Sequence, residues 1–526
     1  MHLLPKLTHL FDKLNDTDFK DLQLYMDCEA ELRQYHSTIT AFTVDEKIQL
    51  CDSIYTHLDE YKLESQIYIV SFLAHIAPNI KYTRELLRLC HNDEVFTPET
   101  QFYFYYQITH KRFIQAYCFD SGASLLLNRF YKHIYLRYKS SITDEMCWIP
   151  PEERNKNFIV VMTSQFISTT HGPTKTALDR CRVLQEHMRK QIILINTSEA
   201  LAYTDYRPFF NFILPNYAQD CLNTQHIEYE NATYRYFQYD VTTPCVSSIT
   251  DILAFIRKNK PYCIFTIGGN SIMSDMCSNL VPTISISLAP SDLTTTEGTF
   301  QVIGRKITDE DITVIQKLGK DKEHILSSIF TSSFKAQTKH LTRSELNLPE
   351  HAFLALVVGG RLQDEIQDDF FNMMIQTIRY NVFYVFAGCF DSYEKYMNKY
   401  PVLQSSCAYI GFAEDILAVN ECCDIYVNPK RIGGGTSVAE ALYMGLPVVT
   451  FPYGDGGLGA GEEFHVSDYD EMTQVIIRYA TDKDFYAAMS KKATARASVL
   501  TDSVSAFSRI LPAIEHSPLF INPPKA

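Results

Sequence analysis

No stretch of this 526-residue sequence reaches the ~18–20 continuous apolar residues that a membrane-crossing helix needs. The longest apolar runs, 67–77 and 353–358, are too short and read as buried core. None of the 14 cysteines stands in a C-x-x-C pair, so zinc-ligand spacing is absent. The adjacent Cys422 and Cys423 read as small core residues. No Walker A pattern occurs. Positive charge is in deficit: 48 basic against 62 acidic side chains give a net charge of -14, which excludes attraction to bulk nucleic acid or anionic membranes. The N-terminal MHLLPKLTHLFDKLND carries charges within its apolar stretch, a poor signal peptide and a better amphipathic helix. With no export signal and no cysteine framework, the expected compartment is cytoplasmic, with reduced thiols.

What is present describes a globular chain. Hydrophobic residues make up 46% and charged residues 21%, enough for several cores. At about 150 residues per domain, three to four domains are expected. Residues 1–150 contain almost no glycine, and apolar positions recur at spacings of three and four over 45–61, 63–77 and 99–117, so the region is expected to be all-helical, with Pro78 and Pro98 at breaks. A helical repeat of about 34 residues finds no register. The aromatic QFYFYYQITHKRFIQAY of 101–117 reads as core packing between helices, with a stacking surface for sugar or peptide as the alternative.

The stretch 149–156 reads as a linker, after which strands and helices alternate. Strands are expected at 157–162, 191–196, 262–267 and 281–288, with a helix over 174–189. A second series begins near 351, with strands at 351–358, 382–387, 408–410, 424–428 and 447–451, and helices between and after them. Strands apolar on both faces and alternating with helices mean parallel sheets covered on both sides. The charged stretch 300–350 reads as the connector. The expected division is 1–150 helical, 156–335 and 340–500 doubly wound α/β units facing a cleft, and 501–526 a C-terminal helix and tail.

The most informative segment is DIYVNPKRIGGGTSVAEALYMGLPVVTF, residues 424–451. It divides into strand, loop, helix, turn and strand. Lys430 and Arg431 precede Gly433, Gly434 and Gly435; Thr436 or Ser437 is placed to cap the helix, and Gly445 to close it. Glycines admit a ligand to the backbone, and free amides with adjacent cations favour an anion, most naturally a diphosphate. Glu440 lies one turn into the helix, at the depth of a ribose hydroxyl attached to that diphosphate.

This segment resembles the nucleotide-sugar-binding signature of GT-B-fold glycosyltransferases, in the group that includes glycogen-synthase-like and family 4-type enzymes. Three further stretches resemble the same C-terminal domain: TRSELNLP at 342–349, VVGGR at 357–361, and YIGF at 409–412. The resemblance implies that Gly360 and Arg361 face the phosphates, that the backbone at Gly411 and Phe412 reads the base, and that Arg361 and Lys430 neutralise charge as the nucleotide leaves. Many retaining members carry two glutamates eight apart. Here the first position is Ile432, which argues against that mechanism and leans towards inversion. The cationic loop and helical N-terminal region are closer in style to protein-modifying inverting members such as the O-GlcNAc transferase group.

Loops after strands of the first unit face the cleft in such enzymes. Three roles are open to His171: general base towards an acceptor hydroxyl, contact to sugar or phosphate, or helix cap. Gly172 permits close ligand approach. Asn270 and Asp275, near the Gly268-Gly269 turn, are candidates for sugar or acceptor contact, with a tight turn and cap as the alternative. The GDGGLG of 454–459 formally matches G-x-G-x-x-G, but no strong helix is expected to open from it; it reads as a flexible loop near the donor sugar, with Asp455 and Glu462 as sugar contacts.

The resemblance implies a metal-independent glycosyltransferase moving a hexosyl or N-acetylhexosaminyl group from a nucleotide-diphosphate sugar, by default a UDP-sugar, to a protein or glycan acceptor. No cofactor is expected, since the nucleotide sugar is a substrate. The helical region is expected to bind the acceptor, an oligomer partner or a partner subunit. Two other readings stand beside this one: a catalytically silent GT-B partner subunit, and a nucleotide-sugar epimerase.

Overall fold

The computed structural model describes residues 3–17, 21–77, 79–114, 119–143, 146–169, 171–199, 208–210, 218–239, 244–290, 293–331, 334 and 337–522. Pro78, expected to break two helices, and residues 115–117, expected to end the aromatic helix, lie outside the described residues.

Among the described residues seven α-helices come first: α1 Leu4–Thr17, α2 Leu22–Ile39, α3 Val44–Tyr55, α4 Leu63–Ile76, α5 Ile80–Cys90, α6 Pro98–Ile114 and α7 Ser121–Ser141. The N-terminal segment is amphipathic as expected: Leu7, Leu10, Phe11 and Leu14 are buried on one side of α1. Helix α4 is buried nearly all round, which suits its uncharged run Ile67–Ile76. In α6, Phe102, Tyr103, Phe104, Tyr105 and Ile108 are buried, so these side chains serve the core, while Phe113 in its last turn is exposed.

An eight-stranded sheet follows: β1 Phe158–Thr163, β2 Gln191–Asn196, β3 His226–Tyr229, β4 Ala232–Gln238, β5 Ile264–Ile267, β6 Thr283–Ile286, β7 Phe300–Ile303 and β8 Ile325–Ser327, in the order β3-β4-β2-β1-β5-β6-β7-β8. All neighbours are parallel except the β3–β4 hairpin. Helices α8 Gly172–Arg182, α9 Val246–Asn259, α10 Ile272–Cys277 and α11 Asp309–Lys317 connect them. Strand β1 shows why its run is apolar throughout. Phe158, Val160 and Met162 join the core of the helical region, while Ile159 and Val161 join the core on the opposite face.

The second sheet is wholly parallel, with strands β9 Phe353–Gly359, β10 Val382–Gly388, β11 Cys407–Gly411, β12 Ile425–Val427 and β13 Val448–Val449 in the order β11-β10-β9-β12-β13. Its helices are α12 Leu362–Glu365, α13 Asp368–Thr377, α14 Tyr393–Lys399, α15 Ile416–Cys422, α16 Gly435–Tyr443, α17 Gly454–Ala460, α18 Tyr469–Thr481 and α19 Lys483–Leu500. Three short helices, α20 Ser503–Ser508, α21 Ile510–Ile514 and α22 Pro518–Ile521, then return to the first sheet, where Phe507, Ile510, Leu511 and Phe520 pack. Strand order reverses between β1 and β5 in one sheet and between β9 and β12 in the other. The crevice beyond the carboxyl ends at such a reversal is where doubly wound sheets bind ligands. Among the described residues no helix is long and apolar enough to cross a membrane.

Three expectations need correction. The 300–350 stretch is not merely a connector, because β7, α11 and β8 extend the first sheet through it. Its short strands sit at the sheet edge, where charged neighbours mask the pattern. The 149–156 stretch is not a loose linker. Arg154 is buried, stacks over Trp148 and donates to the carbonyls of Ile149 and Phe520 at 2.8 and 2.9 Å. The glycine run at 454–459 is not a flexible loop; it forms most of α17. Its glycines let α17 lie close against the loop before α16: a β-carbon on Gly456 would fall 2.4 Å from Asn428 Nδ2.

The helical region is locked to the first sheet through buried polar contacts. Tyr131 on α7 donates to Asp275 Oδ2 at 2.7 Å, and Asn279 Nδ2 donates to Tyr135 OH at 3.0 Å. Asp275 also accepts from Thr296 Oγ1 and the Glu297 amide. Burial nevertheless raises its pKa to about 6. Its ligands are therefore structural, not a sugar. Tyr131→Phe should cost about 1.5–3 kcal/mol, the worth of a buried hydrogen bond to a charged group, seen as a lower urea midpoint.

Candidate active site

The carboxyl ends of β9 and β12 carry the glycine loop and its neighbours. Arg361 caps α12 directly after β9, and its Nη2 lies 3.1 Å from Glu365 Oε1, one turn on. The same Nη2 is 3.9 Å from where a β-carbon on Gly433 would stand. Arg361 therefore faces the glycine loop across open space, with about a third of its side chain exposed. Gly360 and Gly411 likewise have nothing within 4 Å of an added β-carbon. Phe412, at 77% exposed, stands beside Gly411 at the rim.

Helix α16 starts without a side-chain cap. Its N-cap is Gly434, at φ 93°, a left-handed conformation that a β-carbon would spoil by meeting Asn428 Oδ1 at 2.5 Å. Neither Thr436 nor Ser437 caps the helix, contrary to expectation. Thr436 is exposed, and Ser437 Oγ turns to the Gly434 carbonyl at 3.4 Å. The first-turn amides thus keep the anion-binding character of a helix N-terminus. Gly445, at φ 78°, closes the helix as expected.

Arg431 occupies a different place from the one expected. Its guanidinium is buried beneath the loop, donating to Asn428 Oδ1 at 2.8 Å, Glu365 Oε2 at 2.7 Å, Val358 O at 2.8 Å and Tyr426 OH at 3.0 Å. With its donors engaged by protein, it holds the loop from below and does not present charge to a ligand. Lys430 is the exposed cation of the pair; its backbone amide donates to Tyr469 OH at 3.3 Å.

Glu440 is 8% exposed and makes no hydrogen bond through its carboxylate among the described residues. Burial raises its pKa to about 7, against the pull of Lys175, which lies across the cleft on α8. Asp455 sits at the start of α17 with its amide on Ile432 O at 2.6 Å, beside Gly435. Glu462 opens the short turn that follows α17.

The first sheet contributes the opposite wall. His171 is the N-cap of α8, but its side chain makes no capping bond; Nδ1 is 3.4 Å from Thr174 Oγ1. Burial first, then Lys175, lowers its pKa, so the ring is neutral at pH 7. Gly172 beside it faces open space. Asn270, after β5, is tied to the helical region, since its Oδ1 accepts from Tyr105 OH on α6.

Sequence reasoning missed several members of this assembly. Glu365 clasps both arginines; its only local signal is the i,i+4 spacing from Arg361. Asn428, just past β12, joins the loop to the end of β13: Oδ1 accepts from Arg431 Nε, and Nδ2 donates to Thr450 Oγ1 at 3.1 Å. Phe113 and His110 on α6 reach Arg361 from a helix that nothing local connects with it. Glu199, buried with a pKa raised to about 7, accepts from the Met273 amide at 2.9 Å and fastens the start of α10.

Residues 354–482 match the family model of group 1 glycosyl transferases. Among solved structures, the chain is similar to a point mutant of the O-GlcNAc transferase of Thermobaculum terrenum, with TM-score 0.55, 10% identity and 96% of each chain covered. It is also similar to Anabaena HepE in complex with UDP (TM-score 0.49, 13% identity, 68% of this chain and 99% of that chain). A glycosyltransferase from Rickettsia africae gives TM-score 0.47 and 12% identity over 68% of this chain and 98% of that one. No curated protein matches the chain in sequence. The chain has the GT-B fold with a helical region ahead of it, and the match to group 1 glycosyl transferases falls on its second sheet domain.

Proposed function

We propose that this protein transfers a sugar from a UDP-sugar to a hydroxyl or amide of a protein or glycan acceptor, with inversion and without a metal. The observation that carries the donor site is Glu440, a buried carboxylate that no described side chain or amide satisfies. It lies one turn inside a helix whose N-terminus is open. Ribose hydroxyls would supply its missing donors, and the attached diphosphate would then meet the first-turn amides of α16, Lys430 and Arg361. The base would lie against Gly411 and Phe412. Asp455, at the start of α17 beside Gly435, would meet the sugar hydroxyls.

In this reading the neutral His171 takes the acceptor proton. The acceptor atom attacks the anomeric carbon from the face opposite the diphosphate, and the bond from that carbon to the phosphate oxygen breaks with its electrons going to UDP. Arg361, Lys430 and the helix amides hold the charge that develops on the leaving oxygen. Arg431 and Glu365 position the loop and Arg361, and Asn270 holds the acceptor-side turn against α6.

Glu440 gives a signed test. Donor hydroxyls favour its ionised form, so binding must eject a proton below pH 7. Affinity for UDP-glucose, whose diphosphate carries no group titrating in this range, should rise by up to about tenfold between pH 6 and pH 8 in calorimetry, and this rise should be absent in Glu440→Gln. The unliganded protein should show the opposite bias. The pKa of Glu440 is raised in the folded state, so its stability contribution is complete below its unfolded pKa and is lost as pH rises through about 7. Glu440→Gln should therefore raise the melting temperature at pH 8 and leave it unchanged at pH 4. The same rise in UDP-glucose affinity in the native protein and in Glu440→Gln, or none in either, would remove Glu440 from the donor site.

A further inference from the structure

Arg361 is held on two sides. Glu365 fixes one edge of its guanidinium at 3.1 Å. Over its face stands Phe113, with the guanidinium carbon 4.8 Å from the ring centroid. Phe113 belongs to the last turn of α6, in the helical region, and 42% of it is exposed, so it is not a core residue shared between domains. An arginine stacked on an aromatic face loses rotational freedom while keeping its edge donors for other partners. Here Nη2 donates to Glu365 and lies 3.9 Å from where a β-carbon on Gly433 would stand. His110, one turn earlier on α6, packs near the Phe113 ring, at 6.4 Å between centroids. Burial and the nearby Arg361 hold the His110 pKa down to about 4, so it adds no competing cation above that pH.

We infer that Phe113 is a positioning residue for the diphosphate: the helical region, through the end of α6, sets the plane in which Arg361 meets the leaving group. This rests on Arg361 binding the diphosphate. It gives the helical region a part in the donor site in addition to any acceptor or partner role, because a shift of α6 displaces the platform on which Arg361 lies. The same helix holds Asn270 through Tyr105, so one rigid element touches both walls of the cleft.

The test uses the full chain, with UDP and uridine as probes in calorimetry. Arg361→Ala should weaken UDP by tenfold or more. Phe113→Leu keeps an apolar side chain of similar bulk but has no aromatic face; it should weaken UDP about threefold to fivefold, leave uridine unchanged, and be restored by Phe113→Tyr. A general loosening of the fold would weaken both probes and would not be rescued by tyrosine. Native UDP affinity in Arg361→Ala would overturn both the diphosphate reading and this inference. Loss in Arg361→Ala with native UDP affinity in Phe113→Leu, or equal loss of both probes, would overturn this inference alone.

Discussion

Arg431→Ala should destabilise the second sheet domain by about 3–5 kcal/mol, the usual result of deleting one partner of a buried ion pair. The guanidinium donates to four acceptors from three parts of the chain: Val358 at the end of β9, Glu365 on α12, and Tyr426 and Asn428 at the end of β12. Removing it leaves the Asn428 amide oxygen and the Val358 carbonyl without this donor, and leaves Glu365 with only the partly exposed Arg361. Asn428 also sits in the space that Gly434 and Gly456 leave open, so its displacement would unseat both the glycine loop and α17. The check is a denaturant titration of the variant, followed by hydrogen exchange of the 428–435 amides. The loss should concentrate in those amides and leave the α1–α7 helices protected. A midpoint within error of the native protein would mean that the network under the loop carries no net stability.

This residue shows where the sequence was legible and where it was not. The pair Lys430-Arg431 before three glycines reads as two cations for one anion, and charge and spacing alone cannot separate them. The separation comes from chain direction. Beyond β12 the backbone turns so that position 431 points down between two strands and position 430 points out. The acceptors that draw Arg431 inward, Val358 O and Glu365, lie more than sixty residues earlier, beyond the reach of any local pattern.

Strands of the second sheet were legible because each is a short apolar run bounded by polar turns, and a parallel sheet buried on both faces demands that pattern. The hairpin β3–β4 was not, since its strands alternate buried and exposed residues at a sheet edge. Helix α17 was missed for the opposite reason. Four glycines in seven residues argue against a helix by propensity, yet its glycines permit the close approach that holds it in place. The link from α6 to Arg361 left no trace at all, because the stacked residues are 248 positions apart (361 − 113).

Arg361→Ala should leave the fold intact and lower kcat for donor turnover by about 10²–10³, the loss typical when one preorganised group facing developing charge is removed. The contrast with Arg431 is the point of the experiment. Arg361 is partly solvated, and its loss leaves Glu365 still paired with Arg431 at 2.7 Å, so the melting temperature should stay near that of the native protein. Turnover is measured as UDP released from UDP-glucose and UDP-GlcNAc, with and without acceptor, because the bond from sugar to diphosphate breaks in either case. Arg361→Lys should recover only part of the rate: an ammonium keeps the charge, but it cannot present two coplanar donors or stack on Phe113 in the same way. Full activity in Arg361→Ala would move charge stabilisation to Lys430 and the α16 amides alone. A large fall in melting temperature would show instead that Arg361 is part of the buried clasp it shares with Glu365.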